Sequence, residues 1–170
     1  MTTASHRRLA ARLFVGLQYR LPQHALSNAM FWLTQRRWPP LVHWVIRLYV
    51  RVFRVDLSEA AESDPRAYAS FNAFFTRALR SDARSWPTAT GAIACPVDGR
   101  VSQIGRIDED RLIQAKGQDY RLSALLGGDL ERAASFRGGL FATLYLSPRD
   151  YHRIHMPIAG CLTATIQVPG

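Results

Sequence analysis

Near Ile93 the hydrophobic period of the chain changes from helical to alternating, so no single regular architecture accommodates both halves. Upstream, Leu9, Leu13, Leu17 and Leu21 recur at spacings of four and Pro22 closes the run, which predicts a helix over 8–21. Leu26, Met30 and Leu33 share one side of a second helix ending near Thr34. Pro39-Pro40 are tolerated in a first turn and open a third, where Leu41, Val45, Leu48 and Val52 form an apolar stripe beside Arg47, Arg51 and Arg54. Asp64-Pro65 reads as the start of a fourth helix, whose Phe71, Phe74, Phe75 and Leu79 suit packing better than a ligand pocket. Downstream, strands are expected at 101–104, 112–115, 140–146 and 162–168, with a short helix near 123–126. Asp98-Gly99 between Val97 and Val101 has the composition of a hairpin turn. Four strands are few to close a barrel or sandwich, and an incomplete sheet is expected. The fold class is α+β: N-terminal amphipathic helices, then an incomplete antiparallel β domain.

Charge divides the chain elsewhere. Residues 1–55 hold nine arginines and no Asp or Glu, whereas from Asp56 onward thirteen basic residues meet thirteen acidic ones. The whole net charge of +9 therefore sits in the first third. Such a segment seeks a polyanion, either nucleic acid or an anionic membrane surface. Its arginines are interleaved with Leu13, Phe14, Leu17, Met30, Phe31 and Trp32, aliphatic and aromatic surface that an interfacial helix requires and a nucleic-acid arm does not. A membrane surface is the expected partner and nucleic acid is not; burial of the same faces on the rest of the chain is the competing use. No run of about 18 uncharged apolar residues occurs, so no single spanning helix is expected. Residues 1–19 are Arg-rich and acid-free, like an organelle transit peptide or an amphipathic anchor. Two cysteines, Cys95 and Cys161, make no disulfide framework and are expected to be free thiols in a reducing compartment.

The candidate chemistry lies between residues 142 and 160. A β-prone run ends at Ser147-Pro148, and His152 and His155 follow beside Pro157. Histidine can take and give a proton near neutrality, so two of them beside a constrained turn suit acid/base work. The bland alternative is a pair of structural histidines, with Arg149 and Asp150 a surface ion pair.

Tyr145-Leu-Ser-Pro-Arg-Asp-Tyr-His-Arg-Ile-His-Met-Pro157 resembles the histidine motif of phosphatidylserine decarboxylases, the pyruvoyl enzymes that make phosphatidylethanolamine. Phe71-Asn-Ala-Phe-Phe-Thr-Arg-Ala-Leu79, Cys95-Pro-Val-Asp-Gly-Arg-Val-Ser-Gln103 and Ile113-Gln-Ala-Lys-Gly-Gln-Asp-Tyr120 fit the same family in the same order. The resemblance implies a division into a basic, membrane-associating helical segment (1–55), a connector and packing helix (56–85) and a β-rich catalytic domain (86–170). It also implies a proenzyme in which a serine of a Gly-Ser pair attacks the preceding carbonyl, cuts the chain and becomes a pyruvoyl group. A serine hydroxyl is a poor nucleophile until a base takes its proton, and that base needs an anion to hold its tautomer. By resemblance Asp98 is the orienting acid, His155 the general base and His152 a proton donor or substrate-positioning group.

No Gly-Ser pair occurs in this sequence. The chain is accordingly expected to be an N-terminal portion that neither processes itself nor decarboxylates anything alone. Its expected partners are phosphatidylserine, the inner membrane at its cytoplasmic side, a C-terminal pyruvoyl-bearing chain and a second copy of itself. Two rival readings remain: a metal module built on Cys95, His152, His155 and Cys161, which lacks a Cys-x-x-Cys knuckle, and a non-catalytic basic module binding membrane or nucleic acid through residues 1–55.

Overall fold

A computed structural model describes residues 22–109, 111–115 and 118–168. The helix expected over 8–21 lies outside them. Helix α1 (Gln23–Thr34) leads through a short break into α2 (Pro39–Phe53), with proline in its first turn as the sequence requires. Arg54 adopts a left-handed conformation (φ 54°) that ends α2, and the Val55 N–H reaches back to the Val50 carbonyl at 3.0 Å.

Helix α2 is apolar on two faces. Val42 and Ile46 are buried with Val55, Tyr68 and Phe74, and Tyr49, Val50, Leu57 and Phe71 pack around them. Leu41, Trp44, Leu48 and Val52, mostly members of the stripe singled out in the sequence, stay exposed beside Arg47 and Arg51. On α1, Leu26, Met30, Phe31, Trp32 and Leu33 are exposed as well.

The fourth helix starts later than expected. Asp64 instead closes a turn, its carboxylate accepting from the Arg66 N–H at 2.9 Å. The short α3 (Phe71–Phe75) begins at Ser70, whose hydroxyl accepts from the Ala73 N–H at 3.1 Å. Between them, the connector is laced to the chain after α3 by an Ala60–Leu79 bridge and by the Arg80 N–H on the Glu59 carbonyl (2.9 Å).

Two antiparallel ribbons follow. Strand β1 (Arg100–Arg106) pairs with β4 (Leu140–Tyr145), Arg100 opposite Tyr145 and Arg106 opposite Leu140, with a bulge between Val101 and Gln103. Strand β2 (Arg111–Ala115) pairs with β3 (Gln118–Arg121). Helices α4 (Leu122–Leu125) and α5 (Leu130–Ala134) follow β3, and Asp129 caps the second through the Arg132 N–H at 2.9 Å. Ile107, Leu122 and Ala133 form a second small core, flanked by Leu126 and Phe141.

Two strand expectations are corrected. Asp98-Gly99 is a bend leading into β1, not a hairpin turn, because the residues before it pair elsewhere. Gly99 is needed for proximity: a Cβ there would stand 2.7 Å from the Tyr145 carbonyl oxygen. Residues 162–168 are irregular; Leu162, Ile166 and Val168 are exposed and have no partner strand among the described residues.

Candidate active site

Asp98 sits in the bend before β1 and His155 in the irregular segment after β4, 57 positions later in the chain. Backbone pairing joins their segments. The Ala94 N–H donates to the Pro157 carbonyl at 2.9 Å and the His155 N–H to the Pro96 carbonyl at 2.8 Å. Pro96 and Pro157 have no N–H to return, so each pair keeps one bond of two and no regular strand forms. The result is a corner of irregular backbone joined by two hydrogen bonds.

This corner forms one wall of a cavity of about 570 Å³ lined by Asp98, His155, Tyr151, Arg84, Trp86 and Cys95. Asp98 and His155 thus share a site, but no hydrogen bond joins them. Arg84 Nε donates to both oxygens of Asp98, at 3.2 and 3.1 Å, and Nη2 closes on Oδ2. The His155 Nε2 instead lies 2.9 Å from the hydroxyl of buried Tyr151, with the two rings stacked at 5.5 Å and Trp86 edge-on at 6.0 Å.

His152 is placed outside that cavity's lining. Its ring stacks on Phe75 at 4.0 Å, and its Nε2–H donates to the Ser147 carbonyl at 3.1 Å. Burial, reinforced by the Arg77 charge, pushes its pKa below the ordinary histidine value, so the neutral ring is favoured. Its turn is closely held. Ser147 donates to Asp150 Oδ2 through N–H (2.6 Å) and Oγ–H (2.7 Å), and the Asp150 N–H returns to the Ser147 carbonyl at 2.9 Å. Burial opposes ionisation of Asp150, yet these bonds and the charges of Arg149 and His152 leave its pKa below the usual carboxylate range.

Three struts fix this turn to the helical half. The Tyr49 hydroxyl of α2 donates to the Pro148 carbonyl at 2.9 Å, and Arg153 Nε donates to the Thr76 carbonyl at 2.8 Å. Buried Arg77 sends Nη2 to the carbonyls of Arg149 and Asp150, at 3.3 and 3.4 Å, with its guanidinium 5.6 Å from the Phe74 ring centre.

The family model described as phosphatidylserine decarboxylase matches residues 71–170, and a second, described as PSD, matches 13–54. The chain belongs to the phosphatidylserine decarboxylase family. It is 54% identical over 159 residues to the phosphatidylserine decarboxylase proenzyme of Bordetella pertussis, covering 94% of this chain and 54% of the relative. To the proenzymes of Methylococcus capsulatus and Azotobacter vinelandii it is 51% and 52% identical, covering 95% and 94% of this chain and 56% of each relative. The chain therefore spans about half the length of the curated relatives it matches. Asp98, His152 and His155 all fall within the larger family match.

Sequence reasoning missed Arg84, Glu59 and Tyr151. Tyr151 stands between Asp150 and His152 in the motif and could have been weighed as a ring partner four positions from His155; Arg84 carried no local signal. Among the described residues no cluster of three or more His, Cys, Asp or Glu side chains is arranged to hold a metal ion. His152 and His155 turn to different partners, Phe75 and Tyr151.

Proposed function

We propose that the complete protein decarboxylates phosphatidylserine to phosphatidylethanolamine, and that this chain supplies its proton-handling residues. The reading rests on Asp98 and His155, distant in sequence, lining one cavity inside the region of family similarity. His155 serves as the base that takes the proton of the serine hydroxyl during self-processing, and the Asp98 carboxylate holds the imidazole's tautomer and offsets its charge once protonated. The cavity has room for a small acyl group, and its wall carries the Arg84 guanidinium, the Tyr151 hydroxyl and the His155 imidazole, donors that suit the carbonyl oxygens of a pyruvoyl group derived from a serine elsewhere in the complete protein. Such a group supplies an electron sink for the pair released as carbon dioxide leaves. His152, kept neutral by burial, serves as the proton donor or holds the substrate.

Residues 1–55 act as the membrane-associating segment, 56–85 as connector and 86–170 as catalytic domain. The open apolar residues of α1 and α2, set among Arg36, Arg37, Arg47 and Arg51, support a peripheral position on a membrane surface, which this reading places at the cytoplasmic side of the inner membrane. No helix among the described residues is long and apolar enough to cross a membrane. Each arginine near an anionic leaflet contributes about 1 kcal/mol, so attachment weakens with salt.

The test joins this chain to the portion of the Bordetella pertussis proenzyme that it does not cover and supplies phosphatidylserine vesicles. Conversion to phosphatidylethanolamine after chain cleavage is the expected result. Cleavage without conversion would overturn the substrate, and vesicle binding without either would leave only a membrane-binding module.

A further inference from the structure

Asp98 is one end of a three-residue ion chain. Arg84 Nη2 lies 2.8 Å from Glu59 Oε2 while the same guanidinium grips both oxygens of Asp98, and its Nη1 donates to the Ala83 carbonyl at 2.6 Å. Glu59 is itself anchored. Its carbonyl accepts from the Arg80 N–H (2.9 Å), the neighbouring Ala61 N–H donates to the Ala78 carbonyl (2.9 Å), and Arg80 Nη1 reaches the Ser58 carbonyl (2.9 Å). Connector, guanidinium and carboxylate are therefore held in series.

We propose that Arg84, held by Glu59, is a positioning residue that fixes the Asp98 carboxylate on the cavity wall shared with His155. This rests on the reading of Asp98 and His155 as the carboxylate and base of self-processing. A carboxylate offers about four lone-pair sites, and Arg84 engages both oxygens from one side, leaving a lone-pair direction for an imidazole N–H. Charge explains why two carboxylates are needed. Arg84 alone would cancel Asp98; with Glu59 added, the three side chains together carry a net charge of about −1. The arrangement orients an anion without neutralising it. The guanidinium fork matters because it controls direction as well as charge, and an ammonium supplies only the charge.

The three side chains are each about one-third to one-half exposed, so their pairing adds little to global stability. A positioning role is therefore separable from a folding role. Histidine ring resonances of the 170-residue chain, read by proton–carbon correlation spectra, provide the test. Arg84→Met should move the His155 ring signals, Arg84→Lys should move them less, and Glu59→Gln should move them in the same direction as Asp98→Asn. In an Asp98→Asn background, Arg84→Met should cause no further shift, because its route to His155 is gone. In the fused, processing-competent chain, Arg84→Met should slow cleavage by about a hundredfold and Arg84→Lys by less. An unmoved His155 signal in Arg84→Met, or the same shift with and without Asp98, would overturn the positioning role. An unmoved signal in Asp98→Asn would instead overturn the pairing of Asp98 with His155 on which it rests.

Discussion

Tyr49→Phe isolates the link between helix α2 and the histidine turn. The ring packs on Phe53 at 4.4 Å, Phe71 at 5.1 Å and Phe74 at 5.9 Å between centroids, and phenylalanine preserves all three contacts. Only the hydroxyl is lost, together with its 2.9 Å hydrogen bond to the Pro148 carbonyl. A net hydrogen bond contributes about 1 kcal/mol, with a somewhat larger loss where the abandoned carbonyl cannot reach water. One kcal/mol corresponds to a roughly fivefold change in an opening equilibrium. Hydrogen exchange at the Asp150 amide, which closes the turn on the Ser147 carbonyl, should therefore quicken about fivefold in Tyr49→Phe. The urea midpoint should fall with no change in slope. Unchanged exchange at Asp150 and an unchanged midpoint would refute the claim that this bond holds the turn to the helix.

Three further outcomes follow from other contacts. Gly99→Ala places a methyl group 2.7 Å from the Tyr145 carbonyl oxygen, and the forced separation of β1 from β4 should cost about 1–3 kcal/mol in a urea titration. Phe74→Ala empties the fully buried centre of the first core and should cost about 3–5 kcal/mol by the same measurement. For His152, burial lowers the folded-state pKa, so the unfolded chain binds the proton more readily and stability should fall as pH drops below about 6.5. Asp150, also lowered, adds a second loss below about pH 4. Urea midpoints at pH 7.5 and 5.5 should differ in the parent and converge in His152→Gln.

Local chemistry was readable in the sequence wherever the deciding residues were neighbours. Prolines at 39 and 40 opened α2, and the apolar, β-prone run of Leu140 to Leu146 marked β4. Errors arose where a distant partner decides. Asp98-Gly99 has hairpin chemistry, yet 94–96 pair with 155–157, and two prolines thin that pairing below a regular ladder. Asp64-Pro65 matched a helix start, but Ser70 captured the α3 amide instead. Residues 162–168 had strand composition, but among the described residues no strand pairs with their backbone. At the site, the motif supplied His152 and His155 but not their separation: Phe75 draws one ring toward the helical half, and Tyr151 draws the other toward the cavity. Arg84 was invisible because its acceptors, Glu59 and Asp98, lie 25 and 14 positions away.

The most direct trial of Asp98 and His155 is the rate of self-cleavage in the fused chain, followed on denaturing gels for the parent, Asp98→Asn, His155→Gln and the double variant. The parent should be cut into two pieces, each single variant should stay essentially whole, and the double variant should be no slower than His155→Gln, the result expected of groups that act as a unit. Cleavage at the parental rate with both side chains replaced would contradict the account.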